Sequence, residues 1–302
     1  MDDKVRATLV RVSNKALLAW EIDEMYNLAS TAGYEIVAHV TQVRQIEDSR
    51  YSLGSGKLSE LISVARDTKS EIIIFGSNLT GTQFNNLESK LNIEVLDRTM
   101  LIIDIFSKHA ISNEGKLQVE LMYKKKMLPR IMGQGKHMSQ QGGGGTGGGG
   151  ARRGIGEKKT ELDRRTIRTE IRDLEKRIDK LAKERNLRRN KRTRNQIKNV
   201  SLVGYTNAGK STIMNALTNA DTLVKDALFA TLDPISRKLF FNDGSMALLT
   251  DTVGFISNLP HEFVKAFRST LEETVFSDLI LHIVDGSSPV SHEQFNVVNS
   301  VL

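Results

Sequence analysis

The stretch Gly204-Tyr205-Thr206-Asn207-Ala208-Gly209-Lys210-Ser211 constrains this chain more than any other. It fits the spacing G-x-x-x-x-G-K-[ST]. The apolar run Val200–Val203 precedes it and predicts a buried strand. Thr212–Thr218 follows, with apolar residues at Ile213, Met214 and Leu217 spaced for a helix. Strand, loop and helix in this order make a phosphate cradle. Glycines let backbone N–H groups curl around an anion, and the helix N-terminus adds the positive end of its dipole. Lys210 brings a point charge to the outer phosphates, and the Ser211 hydroxyl is a magnesium ligand in such loops. The competing reading is a chance glycine turn before a surface helix, and the flanks disfavour it.

The 302 residues suffice for two or more domains. The absence of cysteine excludes a disulfide framework and a Cys-based metal site. No apolar run approaches the roughly 18 residues needed to span a bilayer. Met1-Asp2-Asp3-Lys4 is polar and acidic, unlike a signal peptide. These features predict a soluble, cytoplasmic protein without a membrane span. The net charge of +7 suggests a polyanionic partner, although such an excess also suits an ordinary solvated surface.

Residues 1–110 alternate strand and helix signals, and predict a small α/β subdomain with a parallel sheet and helices on its faces. The strand-like runs are Ala7–Val12, Tyr34–Val43, Glu71–Phe75 and Ile93–Leu96. The helical ones are Leu17–Ala32, Ser59–Asp67 and Leu79–Lys90. Leu53-Gly54-Ser55-Gly56-Lys57 reads as a loop before a helix. It lacks full phosphate-loop spacing, so a plain glycine turn is favoured over a secondary nucleotide or RNA contact.

Residues 111–196 predict a long antiparallel helical hairpin with a glycine-rich tip loop at 139–156. The pattern is helical from Thr99 to Met127, with Gly115 as the one interruption and Pro129 marking an end. Glycines 142–145 and 147–150 then surround Thr146, followed by Arg152 and Arg153. An inert linker and a loop that threads into a nucleic-acid crevice both remain open here. From Glu157 to about Arg194 a polar helix carries Ile167, Ile171, Leu174, Ile178 and Leu181 at coiled-coil spacing. Residues 157–198 hold 17 Lys or Arg against 8 Asp or Glu, an excess larger than that of the whole chain. Arg185, Arg188, Arg189, Lys191, Arg192 and Arg194 concentrate at one end. Contact with RNA phosphates is favoured there over a merely solvated face.

Residues 197–302 carry the rest of a nucleotide-triphosphatase pattern. Thr231 lies in a loop after the first helix, where a hydroxyl can complete a magnesium shell. Arg237–Phe241 and Met246–Leu249 predict two strands joined at Asn242-Asp243-Gly244. Asp251, at the end of the second, can hold magnesium through water. Gly254 can set a backbone N–H against a terminal phosphate. Glu262–Phe276 reads as a helix, and Leu279–Val284 as a buried strand. Phe255 stands where many GTPases place a water-orienting glutamine, which predicts slow unaided hydrolysis. No N-K-x-D element occurs in the 302 residues, so guanine and adenine both stay open, and the reading is of a domain cut before its base-recognition element.

At these residues the chain resembles the HflX-type ribosome-associated GTPases. The resemblance rests on Gly204–Thr212, Phe229-Ala230-Thr231-Leu232-Asp233-Pro234, Asp251-Thr252-Val253-Gly254-Phe255, Gly115–Leu121, Leu128-Pro129-Arg130, the glycine tract and Asp163-Arg164-Arg165. It implies three parts: an N-terminal α/β subdomain, a helical hairpin and a phosphate-loop GTPase domain. By carry-over, GTP is bound by Gly204, Tyr205, Thr206, Asn207, Ala208, Gly209, Lys210, Ser211, Thr212, Phe229, Ala230, Thr231, Leu232, Asp233, Asp251, Thr252, Val253 and Gly254. Mg2+ is held by Ser211, Thr231 and Asp251, and Lys210 stabilises phosphate. The resemblance also implies a monomer that binds the large ribosomal subunit and its RNA, and splits or rescues stalled or stressed ribosomes. One departure stands out. Relatives carry G-P-G-E-T-Q-L-E after the glycine tract, and this chain reads Gly154-Ile155-Gly156-Glu157-Lys158-Lys159-Thr160-Glu161. Two alternatives remain: an RNA-binding protein with a vestigial nucleotide site, and an ATP-dependent RNA-remodelling protein.

Overall fold

A computed structural model describes residues 4–15, 18–140, 150–194, 197–218, 228–229, 233–259, 263 and 274–302. The chain forms two compact units. The first comprises residues 1–104 and 123–173, the second 105–122 and 174–302.

In the first unit strands and helices alternate as the pattern predicts: β1 (Val5–Ser13), α1 (Ala19–Thr31), β2 (Tyr34–Val43), α2 (Ser55–Asp67), β3 (Ile72–Phe75), α3 (Gly81–Leu91) and β4 (Glu94–Asp97). The strand order is β2-β1-β3-β4, and every neighbouring pair is parallel. A parallel sheet buries both faces, which is why β3 is apolar at all four positions and wholly buried. Leu9, Val10, Phe75, Met25, Leu61 and Phe84 lie in this core. Lys57 falls in the first turn of α2, not in a loop. Its ammonium lies 2.9 and 2.8 Å from the two Glu60 oxygens.

Three further helices follow: α4 (Arg98–His109), α5 (Asn113–Gln140) and α6 (Gly150–Arg194). Two expectations change here. The helical run from Thr99 breaks at residues 110–112, and Gly115 lies inside α5. Pro129 does not end α5 either. A helical proline removes one N–H and costs roughly 3 kcal/mol. Tertiary contacts within the first unit offset that loss. The Arg130 carbonyl accepts from Asn85 Nδ2 at 2.9 Å, and its guanidinium lies 3.6 Å above the Phe84 ring and 2.9 Å from Glu88. A Cβ on Gly81 would stand 2.4 Å from the Pro129 carbonyl oxygen, so α3 meets this turn at glycine distance.

The two helices also reach into the range expected for the tip loop. Residues 139–140 belong to α5 and 150–156 to α6, while 141–149 lie outside the described residues. Lys124 pairs with Glu170 at 2.9 Å. This pair joins α5 to α6 within the first unit. At the expected seam positions Leu174 is buried, and Ile167, Ile171, Ile178 and Leu181 are partly so.

The second unit holds β5 (Lys198–Gly204), α7 (Lys210–Thr218), β6 (Ile235–Phe240), β7 (Met246–Asp251), β8 (Leu279–Ile283) and α8 (Ser291–Val301). The strand order is β6-β7-β5-β8, with only β6 antiparallel to its neighbour. Gly244, at φ +81°, closes the β6–β7 turn. Leu202, Met214 and Leu249 form the core beneath α7. Of the expected helix 262–276, only Phe263 and residues 274–276 are described.

Candidate nucleotide site

The phosphate loop leaves the C-terminal end of β5, the middle of its sheet. Gly204 is required by close approach: a Cβ there would stand 2.3 Å from the Ile283 carbonyl oxygen on β8. Asn207 (φ +62°) and Gly209 (φ +88°) turn the backbone left-handed, the conformation from which successive N–H groups form an anion nest. α7 begins directly at Lys210. The Lys210 ammonium is buried and donates to the carbonyls of Gly204 (3.2 Å) and Tyr205 (2.7 Å). Burial pulls its pKa down from 10.5 to about 8, and the Asp251 carboxylate acts in the opposite sense.

Asp251 ends β7 beside this loop and is buried, and the Ser211 hydroxyl donates to its Oδ2 at 2.6 Å. The following residues are fastened to the phosphate loop strand by strand. Thr252 Oγ1 donates to the Leu202 carbonyl (2.7 Å), Phe255 N to the Gly204 carbonyl (3.1 Å), Thr206 N to the Phe255 carbonyl (2.8 Å) and Ser257 N to the Tyr205 hydroxyl (2.8 Å). Gly254 sits over Thr206: an added Cβ would lie 2.7 Å from Thr206 Cα and 3.0 Å from Lys210 Nζ. Phe255 points inward and is 3% exposed, so it presents no group to an attacking water.

The donor set suits a magnesium-bound triphosphate. Ser211 and Asp251 offer two hard oxygens at one point, the arrangement Mg2+ takes when substrate phosphates and water complete its shell. The Thr206 hydroxyl is buried with no hydrogen-bond partner among the described residues. The close space at Gly254 admits backbone but no side chain. Among the described residues no group of three or more His, Cys, Asp or Glu forms a metal site.

Other expected site residues lie elsewhere. Ala230, Thr231 and Leu232 are outside the described residues. Phe229, at φ +57°, stacks its ring edge-on to Phe106 (centroids 4.6 Å apart), and Phe106 meets Phe263 at 5.6 Å. The Asp233 carboxylate accepts from Ile111 N (3.0 Å), Ser112 N (2.7 Å) and Ser112 Oγ. The Phe229 ring therefore packs, and the Asp233 carboxylate caps, in this structure. The adjacent segment gave no local sign of this, because the partners are some 120 residues upstream. Arg185 also changes role: it pairs with Glu114 on α5, so its guanidinium is engaged within the second unit. Arg152 and Arg153 lie at the start of α6, and Arg188, Arg189, Lys191, Arg192 and Arg194 at its end.

A central parallel strand, a glycine-rich nest, a buried lysine and a Ser–Asp oxygen pair define a phosphate-loop nucleoside triphosphatase. Three family models cover almost all of the chain: "GTP-binding GTPase N-terminal" at residues 20–107, "GTP-binding GTPase Middle Region" at 109–192 and "50S ribosome-binding GTPase" at 199–301. The chain is 48% identical over 300 residues to a GTPase HflX of Caldanaerobacter subterraneus subsp. tengcongensis, covering 99% of this chain and 69% of that protein. It is 39% identical over 282 residues to a GTPase HflX of Escherichia coli, covering 93% and 65%. The chain belongs to the HflX family of GTPases. A solved GTP-binding protein from Sulfolobus solfataricus, in complex with GDP, shares the fold at a TM-score of 0.51 and 23% identity, covering 98% of this chain and 78% of that one.

Proposed function

We propose that this chain binds magnesium-bound GTP through residues 204–212 and 251–254, hydrolyses it slowly when alone, and uses the nucleotide state to act on the large ribosomal subunit. The observation that carries this reading is the Ser211–Asp251 pair held next to Lys210 and fastened to the phosphate loop. Lys210 neutralises charge on the outer phosphates. Ser211 and Asp251 would hold Mg2+, with Thr231 as the family's third ligand, and the ion supplies charge neutralisation between phosphates. The loop amides orient the triphosphate. Phe255 offers no hydrogen bond to the water, so a partner or another residue completes the site.

Ribosome contact rests on the family description and on the basic end of α6. Splitting or rescue of stalled ribosomes is the resulting activity, in the cytoplasm and as a monomer. No helix among the described residues is long and apolar enough to cross a membrane.

Calorimetry with GTP and ATP on this chain and on Lys210→Ala tests the nucleotide reading. GTP binding that is lost only in the variant supports it. No binding by either supports an RNA-binding protein with a vestigial site, and ATP binding insensitive to Lys210 supports ATP-dependent remodelling. Single-turnover hydrolysis with and without ribosomes tests the rest, and fast turnover without a partner sinks the role given to Phe255. Co-sedimentation with ribosomes at two salt concentrations reports the electrostatic share of docking.

A further inference from the structure

We propose that the Thr206 hydroxyl holds the attacking water at the terminal phosphate, a task for which Phe255 has no group. The proposal rests on the nucleotide reading above and names the residue of this chain that takes the place of the absent glutamine.

The backbone sets where Thr206 stands. It is the third residue of the phosphate loop, directly before the left-handed turn at Asn207. Its amide is already committed: Thr206 N donates to the Phe255 carbonyl at 2.8 Å, and Tyr205 and Phe255 pair as a parallel bridge. Any further hydrogen bond donated at this position therefore comes from the side chain. That side chain lies against Gly254. A Cβ on Gly254 would stand 2.8 Å from Thr206 Cγ2 and 3.0 Å from Lys210 Nζ. Thr206, Gly254 and Lys210 thus meet at one point. The lysine of such a loop serves the outer phosphates, so Thr206 stands at the terminal-phosphate end of the cradle.

The neighbouring hydroxyls single it out. Tyr205 accepts from Ser257 N, Ser211 donates to Asp251, and Thr252 donates to the Leu202 carbonyl. Thr206 is only 6% exposed, and its Oγ1 has no hydrogen-bond partner among the described residues. A buried hydroxyl left unpaired weakens a fold, and a valine of the same shape would avoid that loss. Threonine here fits a partner that arrives with the substrate.

A hydroxyl donates one hydrogen bond, accepts two, and turns its proton to suit. It can accept from a water while donating to a phosphate oxygen, and the two contacts together fix the water for attack. In the step itself the water oxygen bonds to the terminal phosphorus as the bond to the GDP oxygen breaks. The GDP oxygen keeps the bonding pair, and one water proton passes to a phosphate oxygen. Thr206 ends the step with its own proton. A rotating O–H restrains the water less than a fixed amide would, which agrees with slow hydrolysis by the chain alone.

The test compares the 302-residue chain with Thr206→Val and Thr206→Ser in Mg2+. It reads single-turnover hydrolysis at saturating GTP, and affinities for GDP, a non-hydrolysable GTP analogue, and GDP with aluminium fluoride, which mimics the phosphoryl group in transfer. Thr206→Val slows turnover and weakens the fluoride complex at least about fivefold each, with GDP and the analogue within about twofold, the pattern of a contact made only in the transition state. Thr206→Ser restores both to within about twofold of the unmodified chain. The denaturation midpoint of Thr206→Val equals or exceeds that of the unmodified chain, which separates the effect from loss of fold. A smaller loss of the fluoride complex in Thr206→Val overturns the proposal. So does analogue affinity that falls as far as the rate, which puts the hydroxyl on bound triphosphate instead of water. A serine variant as impaired as the valine one overturns it too, as does an unmodified chain whose GDP affinity aluminium fluoride fails to raise with or without ribosomes. All of these leave the nucleotide reading standing. An unmodified chain that binds neither GDP nor the analogue overturns that reading, and the role of Thr206 falls with it.

Discussion

The chain contains two glycine-and-lysine stretches at the start of a helix, and only one has the geometry of a phosphate cradle. In the first unit, Gly54-Ser55-Gly56-Lys57 starts α2. There the Gly54 amide is already taken by Gln42 Oε1 at 3.0 Å, and Lys57 lies on the surface against Glu60. In the second unit, the loop of Gly204–Lys210 folds back on its own strand. Lys210 is buried against the Gly204 and Tyr205 carbonyls, and the Asp251–Phe255 segment is laced along the loop. Glycine and lysine content alone does not make a phosphate cradle. The spacing must let the lysine reach back over the loop, and a second segment must close the other side.

This contrast can be broken experimentally, starting with the lysines. Lys210→Ala should weaken GTP by at least about 100-fold in calorimetry, because it removes a charge-assisted contact from a dry site. Lys57→Ala should leave GTP affinity within twofold, since an exposed i,i+3 pair contributes little. Equal losses at both lysines would erase the distinction. Next come the glycines, read by chemical denaturation. Gly204→Ala presses a Cβ against the Ile283 carbonyl and should destabilise by about 1–3 kcal/mol. Gly56→Ala meets nothing within 4 Å and lies in α2, so it should stabilise by about 0.5–1 kcal/mol.

A pH effect separates the two lysines further. The folded pKa of Lys210, about 8, lies below its ordinary 10.5. The unfolded chain therefore binds more protons between those values, and stability rises with pH across that window. The rise between pH 8 and 10 is on the order of 2 kcal/mol at about 1.4 kcal/mol per unit. Lys210→Met should flatten it. Tyr34 acts oppositely above pH 10, because burial and Asp104 raise its phenol pKa and stability falls there as pH increases. The useful window closes at that point. Unfolding midpoints measured from pH 7 to 10 on both proteins check the sign.

Most of the phosphate site was legible because its chemistry is local. Gly204–Ser211 lies in one stretch, and Asp251 and Gly254 follow at the end of a readable strand. The alternating elements of the first sheet and the burial pattern of Ile167–Leu181 were legible for the same reason: periodicity is written in neighbouring residues. What was missed depends on distant partners. Pro129 looked like a stop, because nothing near it reveals that Asn85 and Phe84 receive the next residue. Gly115 looked like an interruption, because its crowding neighbour is Asp233. The packing of Phe229 and the capping by Asp233 have partners on α4 and the α4–α5 corner, more than a hundred residues away.

The division of the chain also has a consequence for how it is made. Each unit takes two separate pieces: 1–104 with 123–173, then 105–122 with 174–302. A ribosome delivers them in alternation. The first unit is complete once residue 173 has emerged. Residues 105–122, including the Ser112 corner, must wait for the sheet that they join. At about 5–20 residues per second, that wait is roughly ten seconds to half a minute. During it the buried positions Leu117, Val119 and Leu121 have no finished core to enter. Slow translation beyond residue 174 should therefore expose this short stretch to chaperones or proteases, and a cut near residue 110 would damage the second unit before its nucleotide loop had been synthesised.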